Sequence, residues 1–475
     1  MTKKGDAPSF RENPEAENVS LLVFGRGKEG AGKWTVFTRL PEGLLAVSLL
    51  MAAAFAFWEA HALSQNGSSK RSQVVFGMCW EPVGFFPLRA LDSASYYAQT
   101  LVYQGLVMYN PALEVVPALA ESFSVSKDGL TYRFKLRSKA RFSDGQPITA
   151  DDVMESLRLA SSKYSPYRED YRDLKRILLT KPDEVTLELS RPCAPLLARL
   201  VELRILPSRL LKSADRGKAV LSRKPVSSGP FILRRWESGL ELVFEANPHY
   251  WGEKPKVKRL IWRLVPEMSL LSLAVNRGDI DVAQVDAPSY DAFLRRNKSL
   301  KIESFSGSRT IYLGFNLERE PWDERDVRRA IAMSIDRAAL VEKVLRGWAM
   351  LPNTDFPPGR WAYDKEIPAL RFDPKGASAL LFRCGFKVKN ACWERTVKGK
   401  RQLLAFKLKT AKDFTEVAQC VASQLRKNHI LAEVEVVEFS ALRNRYLVKG
   451  DYDVVLWSRS SGTDPDCVLV WGSGG

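Results

Sequence analysis

Histidine, the side chain most often used as general base and metal ligand, occurs only three times in the 475 residues. His61, His249 and His429 are so far apart that a His-rich zinc centre is not expected and acid–base chemistry has few candidates. No G-x-S-x-G, H-E-x-x-H or G-x-x-x-x-G-K-S/T stands in the chain. Nucleophile elbow, zinc-protease helix and phosphate loop therefore all lack support. The six cysteines (Cys79, Cys193, Cys384, Cys392, Cys420 and Cys467) contain no C-x-x-C, which removes a redox motif and a zinc knuckle. Only Cys384 and Cys392 are close in sequence. They read either as a bridge in an exported protein or as two small apolar side chains in a core. What remains is the chemistry of recognition, carried by arginine, tryptophan and tyrosine; no enzyme and no cofactor are expected.

Composition narrows the class further. Hydrophobic residues make up 45% and charged residues 27%, which is ordinary for a globular chain and excludes disorder, collagen or coiled coil as a whole-chain description. The length accommodates two to four domains at ~100–200 residues each. Lys+Arg 72 against Asp+Glu 55 gives a net charge of +17. Acids and bases cancel within residues 1–62, so the excess belongs to the rest. A polyanionic partner is one reading, a solvated basic surface the other. The second is favoured, because no run of like charges and no aromatic-basic nucleic-acid motif appears.

Gly43 to Trp58 (GLLAVSLLMAAAFAFW) is uncharged, follows Lys33 and Arg39, and precedes Ala60-His61-Ala62. Positive flank, apolar run and small residues are the parts of a secretory signal, with cleavage expected after Ala62. The run is short for a membrane span of ~20 residues. The stretch before it is long for a signal, so an uncleaved anchor and a buried helix stay open. No other stretch approaches membrane length, which excludes a polytopic transporter.

The elements that must position any site alternate between strands and helices without a repeat. Val74–Met78 suits a buried strand, and Ser95–Val107 is apolar at helical spacing. Tyr132, Phe134 and Leu136 alternate with polar residues after an Asp128-Gly129 turn, giving a strand with one wet face. Thr149 with Asp152 predicts a capping box opening a helix over 150–161. Further on, strands are expected with Leu240, Leu242 and Phe244 inward, over 280–285, 313–317, 432–437 and 452–457. Helices are expected with an apolar face at Leu270, Leu273 and Ala274, through Val327, Ile331, Ile335 and Leu340, and over 414–427.

Several pieces of these blocks occur together in a set order. They are D-G-x-x-Y-x-F-x-L-R with A-x-F-S-D-G-x-P-x-T-A-D-D-V, then S-S-G-P-F with N-P-x-Y-W-G-x-K-P and G-D-I-D-V. Y-L-G-F-N with D-V-R-R-A-I-A-M-S-I-D-R follows. This succession resembles the extracytoplasmic solute-binding proteins of the peptide/nickel ABC transporters, bacterial solute-binding protein family 5. The resemblance runs from about Val74 to the last residue.

It implies an α/β fold of two lobes with mixed sheets flanked by helices. Lobe I would take residues 73–118 and 219–307, an inserted subdomain 119–218, and lobe II 308–475. The lobes would close on a solute in the cleft between them, and the closed form would dock on a permease. A periplasmic, monomeric receptor for a short peptide is expected, binding no nucleic acid. A metal chelate, haem or another small anion is the alternative, as is a degenerate protein that binds no solute. Family members continue beyond the D-P-D loop at Asp464–Asp466, so lobe II is expected to be incomplete. The chain would then be a fragment, a frameshifted product or one piece of a split receptor.

The same resemblance nominates the site. The lobe II cleft loop here reads WSRSSGTDPDCVLVW. In peptide-binding members an Asp shortly after the tryptophan holds the α-amino group; Ser460 occupies that place here. Arg459 could receive a carboxylate or an anionic chelate instead, beside Trp457. Trp80 and Glu81 follow the first strand, Tyr96 opens the first helix, Arg204 lies in the subdomain facing the cleft, and Trp361 with Tyr363 stand in an aromatic loop. Each aromatic residue also has a core-packing reading, and Arg459 a solvent-facing one.

Overall fold

The computed structural model describes residues 20–24, 72–212, 220–305, 309–354, 356, 362–438, 441–447, 449–460 and 464–466. They gather into two compact units. One comprises Ser20–Phe305 together with Asp466, and the other falls within Ser306–Pro465.

In the first unit the strands are β1 (Ser20–Phe24), β2 (Gln73–Met78), β3 (Val107–Tyr109), β4 (Val115–Pro117), β5 (Ala120–Val125), β6 (Thr131–Leu136) and β7 (Leu174–Lys181). β8 (Glu184–Leu189), β9 (Phe231–Glu237), β10 (Glu241–Ala246), β11 (Arg259–Leu264), β12 (Val282–Val285) and β13 (Lys301–Phe305) complete it. Seven of them form one mixed sheet in the order β13-β1-β12-β2-β11-β10-β9. β2 runs parallel to β11 and β12, and β1 lies antiparallel between β12 and β13. β1 falls inside the stretch expected as a leader, where no strand is predicted. A second sheet, β5-β6-β8-β7, is antiparallel throughout. The unit correspondingly has two apolar cores. One packs around Trp262, Phe244 and Phe85; the other draws on residues from Leu106 to Ile205, around Phe134 and Phe142.

The helices here are α1 (Ser93–Val102), α2 (Ala150–Ala160), α3 (Leu196–Glu202) and α4 (Met268–Arg277). α2 starts as its capping box predicts. The Asp152 carboxylate accepts from Thr149 N–H at 2.8 Å and from Ser208 N–H at 2.7 Å. α4 corrects an expectation: it buries Leu271, Ser272 and Val275, while Leu270 and Leu273 are exposed. Apolar residues flank both candidate faces, so helical period alone could not choose between them. The choice is made by Gly77 of β2, whose lack of a Cβ leaves room for Leu271 and Ile280. Leu240 is likewise exposed in its turn, and Glu241 is buried in its stead, paired with Arg235 and Arg263.

The sequence signature of this unit has an architectural basis. Gly229 of S-S-G-P-F lies where a Cβ would meet the backbone of Leu101, Val102 and Tyr103 at 2.9–3.1 Å. Asn247 Nδ2 donates to Gly229 O at 2.8 Å. Trp251 Nε1 donates to Gln104 Oε1 at 2.7 Å, and Gln104 Nε2 donates to Tyr250 Oη at 2.8 Å. N-P-x-Y-W thus clamps the end of α1 to the start of β9.

The second unit contains β14 (Arg309–Phe315), β15 (Lys387–Lys389), β16 (Cys392–Val397), β17 (Lys400–Leu403), β18 (Ala405–Thr410), β19 (Leu431–Val436) and β20 (Val454–Ser460). Its main helices are α5 (Arg325–Met333), α6 (Arg337–Lys343), α7 (Pro374–Arg383) and α8 (Thr415–Lys427). The main sheet runs β14-β20-β18-β19, with β18 parallel to both β19 and β20 and β14 antiparallel to β20. α8 joins β18 to β19, and its Val417, Val421 and Leu425 face the core. The helix expected through Val327 to Leu340 is two helices. Ser334 Oγ donates back to Ala330 O, and the Asp336 carboxylate then caps a new start at Ala339 N–H. Asn316 of Y-L-G-F-N donates to Gly450 O at 2.8 Å and Tyr452 O at 3.0 Å, tying β14 to the turn before β20. Cys384 and Cys392 are both free thiols.

Candidate functional site

Each unit carries part of what the sequence nominates. In the first, Tyr96 at the start of α1, Glu202 at the end of α3 and Arg204 just beyond it form one cluster. Tyr96 Oη donates to Glu202 Oε2 at 2.7 Å, and the Arg204 guanidinium stands 5.3 Å from the Tyr96 ring centroid. Arg204 is 8% exposed. Its Nη1 donates to Val201 O at 3.2 Å, and its Nη2 makes no hydrogen bond and lies 3.6 Å from Glu202. Burial pushes the Tyr96 phenol well up, and the adjacent Glu202 carboxylate adds to it. Tyr167 is raised too, first by burial, with Arg204 and Glu202 acting in opposite directions. Glu202 and Tyr167 were not singled out in the sequence; Glu202 is a near neighbour of Arg204 in the chain, whereas nothing local marks Tyr167.

The segment carrying Arg204 is fixed from behind by α2. Leu206 N–H donates to Ser156 Oγ at 2.9 Å, and Ser208 N–H to Asp152. Ile205 N–H donates to Gln104 O at 3.0 Å. Trp80, just after β2, is 56% exposed. Glu81 is engaged by the β9–β10 hairpin, accepting from Trp236 Nε1 at 2.7 Å and from Gly239 N–H at 3.0 Å. Desolvation raises its pKa, but those hydrogen bonds, one from Ser238 and the Arg223 charge outweigh it and hold the carboxyl below its ordinary value. Asp466 of the D-P-D motif pairs with Arg199 of α3, which donates from Nη1 to Asp170 O at 2.6 Å.

In the second unit the nominated residues cluster where β20 ends. Trp457 lies opposite Tyr312 and Arg459 opposite Thr310, while Ser458 lies opposite Ile311 and Ser460 opposite Arg309. Strand alternation therefore puts Trp457 and Arg459 on one face and Ser458 with Arg309 on the other. This is the carboxyl end of parallel β18, β19 and β20, the usual end for ligands in α/β sheets. Tyr363 is half-buried in a loop. Trp361 and the Ser460 side chain lie outside the described residues. Among the described residues no three His, Cys, Asp or Glu side chains gather as metal ligands, and no helix is long and apolar enough to cross a membrane.

Comparison with known proteins gives a concordant picture. The model of the bacterial extracellular solute-binding proteins, family 5, middle region, matches residues 114–474. The chain is 30% identical to the probable D,D-dipeptide-binding periplasmic protein DdpA of Escherichia coli, over 86% of this chain and 78% of that one. It is 29% identical to the oligopeptide-binding protein AppA of Bacillus subtilis, over 90% and 82%. Among solved structures, Campylobacter jejuni NikZ in complex with Ni(L-His) superposes with a TM-score of 0.71. It has 26% identity and covers 84% of this chain and 79% of that one. B. subtilis AppA in complex with a nonapeptide gives 0.70, 27%, 85% and 82%. The mixed α/β elements described above thus match two-lobed solute-binding structures.

Proposed function

This chain belongs to family 5 of the bacterial extracellular solute-binding proteins, and from that premise we propose that it captures a short peptide and presents it to the permease of an ABC importer. Family 5 proteins are receptors and break no bond in what they carry. The observation that carries the peptide reading is the sustained identity to DdpA and AppA, both named for peptides, over 86% and 90% of this chain. An N-terminal signal at Gly43–Trp58 would deliver the receptor to the periplasm, where it acts as a monomer without nucleic acid.

The contribution of the second unit would come from the end of β20, with Trp457 offering an apolar plane and Arg459 a charge. The first unit would contribute through Tyr96, Glu202 and Arg204. One observation favours a second reading, an anionic metal chelate. The resemblance leads one to expect an acid for an ammonium where Ser460 stands, and the likeness to NikZ with Ni(L-His) is as high as that to AppA. Native mass spectrometry of the purified protein, followed by calorimetric titration with di- and tripeptides and with nickel–histidine, separates the two. Peptide binding without chelate binding supports the first reading, and the reverse outcome replaces it with the second.

A further inference from the structure

The three-stranded sheet β15-β16-β17 of the second unit gathers positive charge that the sequence leaves dispersed. Residues 383–401 (RCGFKVKNACWERTVKGKR) hold seven basic side chains and one acid, Glu394. In the register Lys387 lies opposite Glu394, Lys389 opposite Cys392 and Arg401 opposite Thr396, so Lys387, Lys389 and Arg401 share the face of Glu394. Glu394 accepts from Arg401 Nε at 2.6 Å and lies 3.9 Å from Lys389 Nζ. One carboxylate thus serves a face with three cations. The other face is held by the fold: Trp393 is buried, while Arg395 donates to Cys384 O at 2.8 Å, pairs with Glu324 and stands 4.4 Å from the Phe386 ring centroid.

At the tip, Lys398 and Gly399 form the turn into β17, followed by Lys400. Lys398 has φ 49°, a left-handed conformation that Asn or Gly adopts more easily. Among the described residues no acid pairs with Lys387, Lys398 or Lys400, and all three are exposed. Leu403, opposite Glu394 and 39% exposed, adds an apolar side chain to the charged face.

Cations spread over a sheet face match an anion that is itself extended. Lysine ammoniums are hydrated point charges on flexible stems, suited to phosphates that keep no fixed geometry. Leu403 among them suits a surface whose phosphates overlie hydrocarbon. Base stacking has no platform here, because Phe386 and Trp393 are buried. We propose that this sheet attaches the receptor electrostatically to an anionic lipid surface, independently of solute.

The test is co-sedimentation of the full chain with phosphatidylglycerol and with phosphatidylcholine vesicles, in the absence of solute. One variant combines Lys387→Gln, Lys389→Gln, Lys398→Gln and Lys400→Gln. A charge-matched control combines Lys127→Gln, Lys139→Gln, Lys175→Gln and Lys224→Gln, at exposed lysines of the first unit. Residues 43–58 are uncharged and act alike on both vesicles, so the readout is the preference for phosphatidylglycerol. Circular dichroism checks that both variants fold.

The expected result is a wild-type preference that disappears as salt rises from ~0.1 M to ~0.5 M. It should weaken at least about a hundredfold in the sheet variant and persist in the control. Equal binding to both lipids, a preference that the sheet variant keeps, or an equal loss in both variants overturns the proposal and leaves the solute-receptor reading intact. Tighter capture of a single-stranded oligonucleotide through the same four lysines overturns it in favour of nucleic acid.

Discussion

Replacing Asp152 with alanine removes a side chain that is 4% exposed and serves two masters. One oxygen accepts from Thr149 N–H and Oγ1, closing the capping box of α2; the other accepts from Ser208 N–H across 56 residues of sequence. Loss of the cap costs ~1 kcal/mol. The Ser208 amide, in a buried residue, is then left without its partner, which costs a further ~1–3 kcal/mol. The sum, ~2–4 kcal/mol, is a large share of the ~5–15 kcal/mol that folded domains hold in reserve. Because Arg204 rides on the segment Asp152 pins, solute affinity should fall together with stability. Urea unfolding followed by tryptophan fluorescence measures the first and calorimetry the second. Asp152→Asn retains one acceptor oxygen and should cost about half as much. A loss below ~1 kcal/mol in the alanine variant would refute the reasoning, because it would mean that the Ser208 amide finds water or another acceptor.

Glu81 has a folded pKa below its unfolded one, so its stabilisation is present above the ordinary glutamate range and lost as pH falls through the folded value. Acid titration of stability should show this step in the wild type and not in Glu81→Gln; identical profiles would contradict it. Burial, reinforced by Asp286 and Glu267, pushes the Cys79 thiol up to about 11, so alkylation by iodoacetamide at pH 8 should be much slower than for a model thiol. Arg459→Ala should weaken solute binding by ~1.5–3 kcal/mol, the range for a charged hydrogen bond, and Trp457→Ala should weaken it through lost packing. Unchanged titration curves in both would remove the end of β20 from the site. Edman sequencing of the exported protein should begin at or near Leu63, and an intact 43–58 run would establish the anchor reading.

The parts of the fold legible in the sequence were those set by local rules. Asp128-Gly129 and the Thr149–Asp152 cap announce themselves because a left-handed turn or an orphan N–H admits few residue types. The face of α4 was misread because Leu270, Leu271, Leu273, Ala274 and Val275 offer two apolar stripes, and the partner that selects one of them, Gly77, is almost 200 residues away. The single helix read through Ile335 breaks because Ser334 and Asp336 compete locally for backbone bonds, which an apolar period does not register.

β1 ties the covalent history of the chain to the integrity of its largest sheet. In that sheet β13 has β1 as its sole neighbour, and β1 lies upstream of Ala62. A secretory signal at Gly43–Trp58 would keep Ser20–Phe24 on the cytoplasmic side of the membrane, so β1 can pair with β12 and β13 only in a chain whose two parts share one compartment. An exported chain without β1 would turn β12 into a sheet edge and leave β13 without its ladder.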